Sequence, residues 1–110
     1  MAPRRRRVIW TEQARDALTE ALEFIAQDSQ AGARNLLSNC LVAAASLAEL
    51  SERGQVVEEA SGHEVRQLLV QRYRLLYEVQ TSEVHILALV HGSRDFVEWR
   101  RREGLEPPAG

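Results

Sequence analysis

VRQLLVQRYRLLYEVQTSEVHILALVHGSRDF, residues Val65 to Phe96, is the stretch whose reading decides the fold. Three runs of β-type residues follow one another in it: Val65–Val70, Tyr73–Val79 and Val84–Val90. Their links are two and four residues long, which only antiparallel neighbours allow, so the block predicts a meander. Side chains alternate across a strand. Tyr73, Leu75, Tyr77 and Val79 are therefore expected on one face. In the third run the same rule puts Val84, Ile86, Ala88 and Val90 on one face and His85, Leu87 and Leu89 on the other.

Upstream of this block, Val56 and Val57 suggest a short strand, and Ala60 to Glu64 a loop. Before Gly54 the apolar period changes to that of a helix. Leu36, Leu37, Cys40, Leu41, Ala44, Leu47, Ala48 and Leu50 mark a helix that Ser29 caps and that runs to about Arg53, with Gly54 as its stop. No charge occurs from Asn35 to Ala48, which implies cover on more than one side. A first helix is expected from Glu12 to about Gln27, capped by Thr11, with Ala14, Ala17, Leu18, Ala21, Leu22 and Ile25 inward. Its acidic row Glu12, Asp16, Glu20 and Glu23 reads as a solvated face. Val8 to Trp10 form an N-terminal strand candidate. Downstream, Asp95 to Arg102 reads as a short C-terminal helix with Phe96 and Trp99 on its inner side.

The expected architecture is α+β: an N-terminal strand and an α-helical hairpin packed on an antiparallel sheet of three to four strands, closed by that short helix. One domain covers residues 8–103. Residues 1–7 form a basic N-terminal tail, and 104–110, with Pro107 and Pro108, a flexible C-terminal one. The chain of 110 residues leaves no room for a second domain.

Composition narrows the chemistry. Net charge is −2, and all 14 basic residues are arginine. Arginine suits bidentate recognition of phosphate and carboxylate, whereas no lysine is present to act as a base or an imine-forming amine. A single cysteine, Cys40, excludes an internal disulfide and a multi-cysteine metal site, and fits a reducing cytoplasm. His63, His85 and His91 lack metal-ligand spacing. The start MAPRRRRVIW has no apolar core of a secretory signal, and Leu36 to Leu50 is too short and polar to span a bilayer. Gly-rich phosphate loops and nucleophile elbows are absent from the sequence, and no cofactor is expected. Binding is better supported than classical enzyme chemistry.

The candidate binding residues are arginines at strand ends: Arg66, Arg72, Arg74 and Arg94. A meander could gather them on one side to grip an anion. Phe96, Trp99, Arg100 and Arg101 extend the set, because large aromatics with arginines favour binding hot spots. His91, ahead of Gly92, is either a general acid or base or a structural turn residue. Cys40 lies on an apolar stripe and reads as packing.

The opening VIWTEQARDALTEALEFIAQDS resembles the RelE/ParE superfamily of bacterial toxins. VRQLLVQRYRLLYEV and VHILALVHGSRDF resemble it more strongly, through Arg66, Tyr73, Arg74, Tyr77 and the run from His91 to Asp95. Gln71 is a departure, since the family usually has glycine there. The resemblance implies the toxin half of a type II toxin–antitoxin pair, held in a hetero-oligomer by a cognate antitoxin, ParD-like or similar. Leu37, Leu41 and Ala44 on helix two are its expected docking residues. The superfamily divides into gyrase poisons and ribosome-dependent endoribonucleases that cut messenger RNA. Without lysine, and with Phe96 following Arg94 and Asp95, this chain leans to a ParE-like gyrase inhibitor without enzymatic activity. The alternative is a RelE-like ribonuclease using Arg66, Arg74, His91 and Arg94.

Overall fold

The computed structural model describes residues 5–60 and 63–92 of the chain. Strand β1 (Arg7–Trp10) runs directly into helix α1 (Glu12–Ala26), and Thr11 makes the junction. Its backbone is extended, and its Oγ1 accepts the Ala14 N–H at 3.1 Å, satisfying one of the donors a helix start leaves open. The same hydroxyl donates to the Ile86 carbonyl at 2.7 Å, tying the helix start to the sheet. Ala14, Leu18 and Ala21 are buried along α1, with Ala17, Leu22 and Ile25 packed beside them, as the periodicity predicts.

Ser29 caps helix α2 (Gln30–Ser46) by accepting the Gly32 N–H at 2.9 Å. This helix stops well before Arg53. Ser46 Oγ donates back to the Ala43 carbonyl at 2.6 Å, and Leu47 and Ala48 donate to carbonyls three residues back, which tightens the last turn. The chain then turns inward, burying Leu47 and Ser51. Gly54 is not the helix stop. It sits under Tyr77, whose hydroxyl accepts the Gly54 N–H at 2.9 Å. A Cβ there would lie 2.5 Å from that oxygen and 2.6 Å from the Gln67 carbonyl, so only glycine fits.

Strands β2 (Gln55–Ala60), β3 (His63–Val70), β4 (Tyr73–Val79) and β5 (Glu83–His91) form the expected antiparallel meander. Among the described residues the sheet has five strands in the order β1-β5-β4-β3-β2, more than the three to four expected. Two causes account for this. The segment 55–60 pairs along β3 as a full strand, and β1 joins the other edge, parallel to β5. The predicted C-terminal helix lies outside the described residues.

Both helices pack on one face of the sheet. Leu68, Val70, Tyr73, Leu75, Tyr77, Val79, Val84, Ile86 and Leu89 meet them there. On β4 the expected alternation is found. On β5 it fails beyond Ile86, because a bulge interrupts the ladder. Leu76 pairs with Ala88 and Tyr77 with Ile86, so Leu87 has no partner on β4. One extra residue reverses every side chain that follows. Leu89 therefore turns toward the helices, while Ala88 and Val90 turn to the outer face with Leu76.

Candidate functional site

The tip of the β3–β4 hairpin is built from Gln71 and Arg72. Gln71 adopts φ 57°, the left-handed region that disfavours side chains with a Cβ. Beyond β5 the chain returns to this tip. Gly92 N–H donates to the Arg72 carbonyl at 2.6 Å, and a Cβ on Gly92 would lie 2.8 Å from the same oxygen. Tyr73 and His91 pair across β4 and β5 with their rings edge to face, centroids 5.5 Å apart. This end of the sheet thus gathers Arg72, Tyr73, Arg74 and His91. Arg72 and His91 are exposed.

Arg74 lies on the outer face, where its guanidinium donates to Gln67 Oε1 at 3.2 Å. Its Nε is buried and has no hydrogen-bond acceptor among the described residues. Arg66 does not join it. Arg66 stands opposite Tyr77 and Arg74 opposite Leu69, which puts them three positions apart along β4, about 10 Å. They also project from opposite faces, since Tyr77 meets the helices and Arg74 does not. Arg66 is spent internally: it pairs with Glu64 and donates to the carbonyls of Glu52 at 2.9 Å and Gly54 at 2.6 Å. It fastens the turn after α2 to the sheet. Arg72 and Arg74 do not form an in-strand pair either, because Arg72 belongs to the turn. The single cluster expected from sequence is therefore divided. Arg94, Phe96, Trp99, Arg100 and Arg101 lie outside the described residues.

The opposite end of the sheet holds a polar chain that sequence reasoning passed over. Glu83 Oε2 accepts from Arg7 at 2.7 Å and Glu83 Oε1 from His85 Nε2 at 2.9 Å. Gln80 Nε2, which can only donate, lies 3.3 Å from His85 Nδ1 and 2.8 Å from Glu78 Oε1. That assigns the His85 proton to Nε2. The hydrogen bond from His85, then the one from Arg7, holds the Glu83 carboxyl below its usual range. The available signal was the spacing Glu83-x-His85, which puts both side chains on one face of a strand.

The arginine run is part of the fold from Arg5 onward. Arg5 faces Glu49 at 3.6 Å, and Arg7 opens β1. Arg6 donates through Nε to the Gln80 carbonyl at 2.8 Å and through its terminal nitrogen to Ser51 Oγ at 2.7 Å. Residues 5–7 are thus not a free tail. Their charges are matched by acceptors of the chain itself.

On the helical hairpin, the three expected docking residues fall in different environments. Ala44 is 1% exposed and belongs to the core, Leu37 is half-buried, and Leu41 is 48% exposed. Arg34, Ser38, Leu41, Val42 and Ala45 share the solvent side of α2, and Val42 is 67% exposed. Among the described residues α2 is covered on one side only. Burial pushes the Cys40 thiol up to about 11, so it is a packing group at neutral pH. No cluster of metal-ligating side chains occurs among the described residues, and no helix there is long and apolar enough to cross a membrane.

Comparison with known proteins agrees with this architecture. The family model described as the ParE toxin of the type II toxin–antitoxin system parDE matches residues 8–96. The chain is 34% identical to toxin RelE2 of Caulobacter vibrioides over 88 residues, 79% of this chain and 96% of that protein. Its fold is similar to a solved chain of the chromosomal ParDE system of P. aeruginosa, with a TM-score of 0.66 at 17% identity. That match covers 80% of this chain and 97% of the other. A strand feeding a helical hairpin, an antiparallel meander beyond it, and a family match across nearly all of both place this chain in the ParE toxin family of type II toxin–antitoxin systems.

Proposed function

We propose that this toxin inhibits DNA gyrase in the cytoplasm and is neutralised by a cognate antitoxin of the ParD type. The observation that carries the reading is the separation of Arg66 from Arg74. Cutting RNA at a 2′-hydroxyl needs cations and a proton-transfer group converging on one phosphate. Here one of the arginines for that task is on the other face of the sheet and occupied by Glu64 and two carbonyls. What remains is a basic edge, Arg72 and Arg74 beside Tyr73 and His91, suited to holding an acidic surface. The family match to ParE supports the same choice. The antitoxin fits the uncovered side of α2, around Leu41 and Val42.

The decisive experiment uses the purified chain in two assays. Supercoiling by purified gyrase should be inhibited, and Arg74→Ala should weaken that inhibition while the fold survives. Messenger RNA on translating ribosomes should stay intact. Codon-dependent cleavage with gyrase unaffected would replace this reading with a RelE-like ribonuclease. In that case His91→Gln should slow cleavage by about 100-fold or more, the usual share of general acid–base catalysis.

A further inference from the structure

Arg5, Arg7 and Arg66 each face a carboxylate, of Glu49, Glu83 and Glu64. Arg74 is held by a neutral side chain instead, the amide of Gln67. The strand register explains the choice. Leu69 stands directly across from Arg74 on β3 and Val90 on β5, and neither side chain has an acceptor. Gln67 stands opposite Leu76, two residues further along β4 on the same face. It is the diagonal neighbour of Arg74, within reach of a long side chain. The first acid along β4 on that face is Glu78, four residues away and about 13 Å. Gln67 is thus the hydrogen-bond partner of Arg74 among the described residues, and the Arg74 Nε has no acceptor there.

The direction of the amide follows. Arginine only donates, so the Gln67 atom turned to it is the oxygen. Gln67 Nε2 is thereby turned to the next strand, where it donates to Gln55 Oε1 at 3.1 Å. Gln55 and Gln67 are direct partners between β2 and β3. Two neutral amides therefore run from the edge strand β2 to the guanidinium on β4. A carboxylate in place of Gln67 would hold Arg74 equally well and cancel its charge. An amide holds it and leaves the charge for a partner.

We infer that Gln67, backed by Gln55, is a positioning residue that fixes the Arg74 guanidinium for a carboxylate of the target without neutralising it. This rests on the reading above that Arg74 meets the target.

The test reads the side chain and the inhibition separately, on the full chain. The Arg74 Nε–H signal is assigned by its loss in Arg74→Lys, and its nitrogen relaxation gives an order parameter. In the wild type this should be about 0.85, and Gln67→Ala should lower it below about 0.6. Gln55→Ala, at an exposed position, should lower it by less, and it keeps the test open if Gln67→Ala fails to fold. Gln67→Glu should keep the side chain ordered. In the gyrase assay Gln67→Ala should weaken inhibition about 2- to 10-fold, the factor that ordering one long side chain costs. Gln67→Glu should weaken it as far as Arg74→Ala does. With Arg74→Ala already in place, Gln67→Ala should add nothing, whereas a merely structural role would add its full loss. An order parameter that ignores both Gln67→Ala and Gln55→Ala would overturn the inference. So would additive losses, or a Gln67→Glu chain that inhibits like wild type while Arg74→Ala does not. Full inhibition by Arg74→Ala would instead overturn the target reading, and the relaxation data would then decide the positioning alone.

Discussion

Gln71 holds a conformation in which a side chain is a disadvantage, and its φ of 57° is the one positive value outside glycine among the described residues. Left-handed backbone costs about 1–2 kcal/mol for an ordinary residue, while glycine gives back part of that in unfolded-state entropy. Gln71→Gly should therefore stabilise the chain by about 0.5–1 kcal/mol, read as a higher urea midpoint at unchanged slope. A lower midpoint would show that the glutamine side chain holds the tip by other means. The resemblance marked this position as unusual, since it leads one to expect glycine there, but could not say what the departure costs. It was less informative about the arginines. Which face Arg66 takes depends on its register against Tyr77, and register is a tertiary property. Arg66→Ala should act on the turn at Glu52 to Gly54 before it acts on any target.

Among the elements, the helix starts were legible because Thr11 and Ser29 carry their own capping chemistry. The end of α2 was not. Apolar spacing continues through Leu47 and Leu50, and what stops the helix is Ser46 folding back while Ser51 is drawn in to Arg6. The β5 bulge was equally hidden, because a run of alternating apolar residues on both faces carries no mark of where one residue is extra. Thr11 offers a test at this scale. Thr11→Ala removes the cap and the bond to the Ile86 carbonyl together, and should cost about 1–2 kcal/mol in chemical denaturation. Thr11→Ser, which keeps the hydroxyl, should recover most of the loss. Equal losses from the two variants would assign the effect to the methyl group and its packing.

For the molecule as a whole, the two layers and their order were readable from one change of period, from helical before Gly54 to alternating after it. The apolar stripe of α2 was only half readable, because it splits into Ala44 inside and Leu41 and Val42 outside, where docking is proposed. Val42→Asp should leave stability within about 0.5 kcal/mol, as exposed substitutions do. It should weaken antitoxin binding about fivefold or more, measured by calorimetry, if the residue lies in the interface centre. Unchanged affinity would move the antitoxin elsewhere. One further property comes from the pairing of β1 with β5. Strand β1 finds its neighbour only when Glu83 to Ile86 have been made, more than 70 residues later. The helical hairpin can form early from local contacts, but the sheet edge must wait, and such long-range pairing is slow. Synthesis of this toxin therefore passes Ile86 before the sheet edge can be assembled, which leaves an interval in which an antitoxin can already be present.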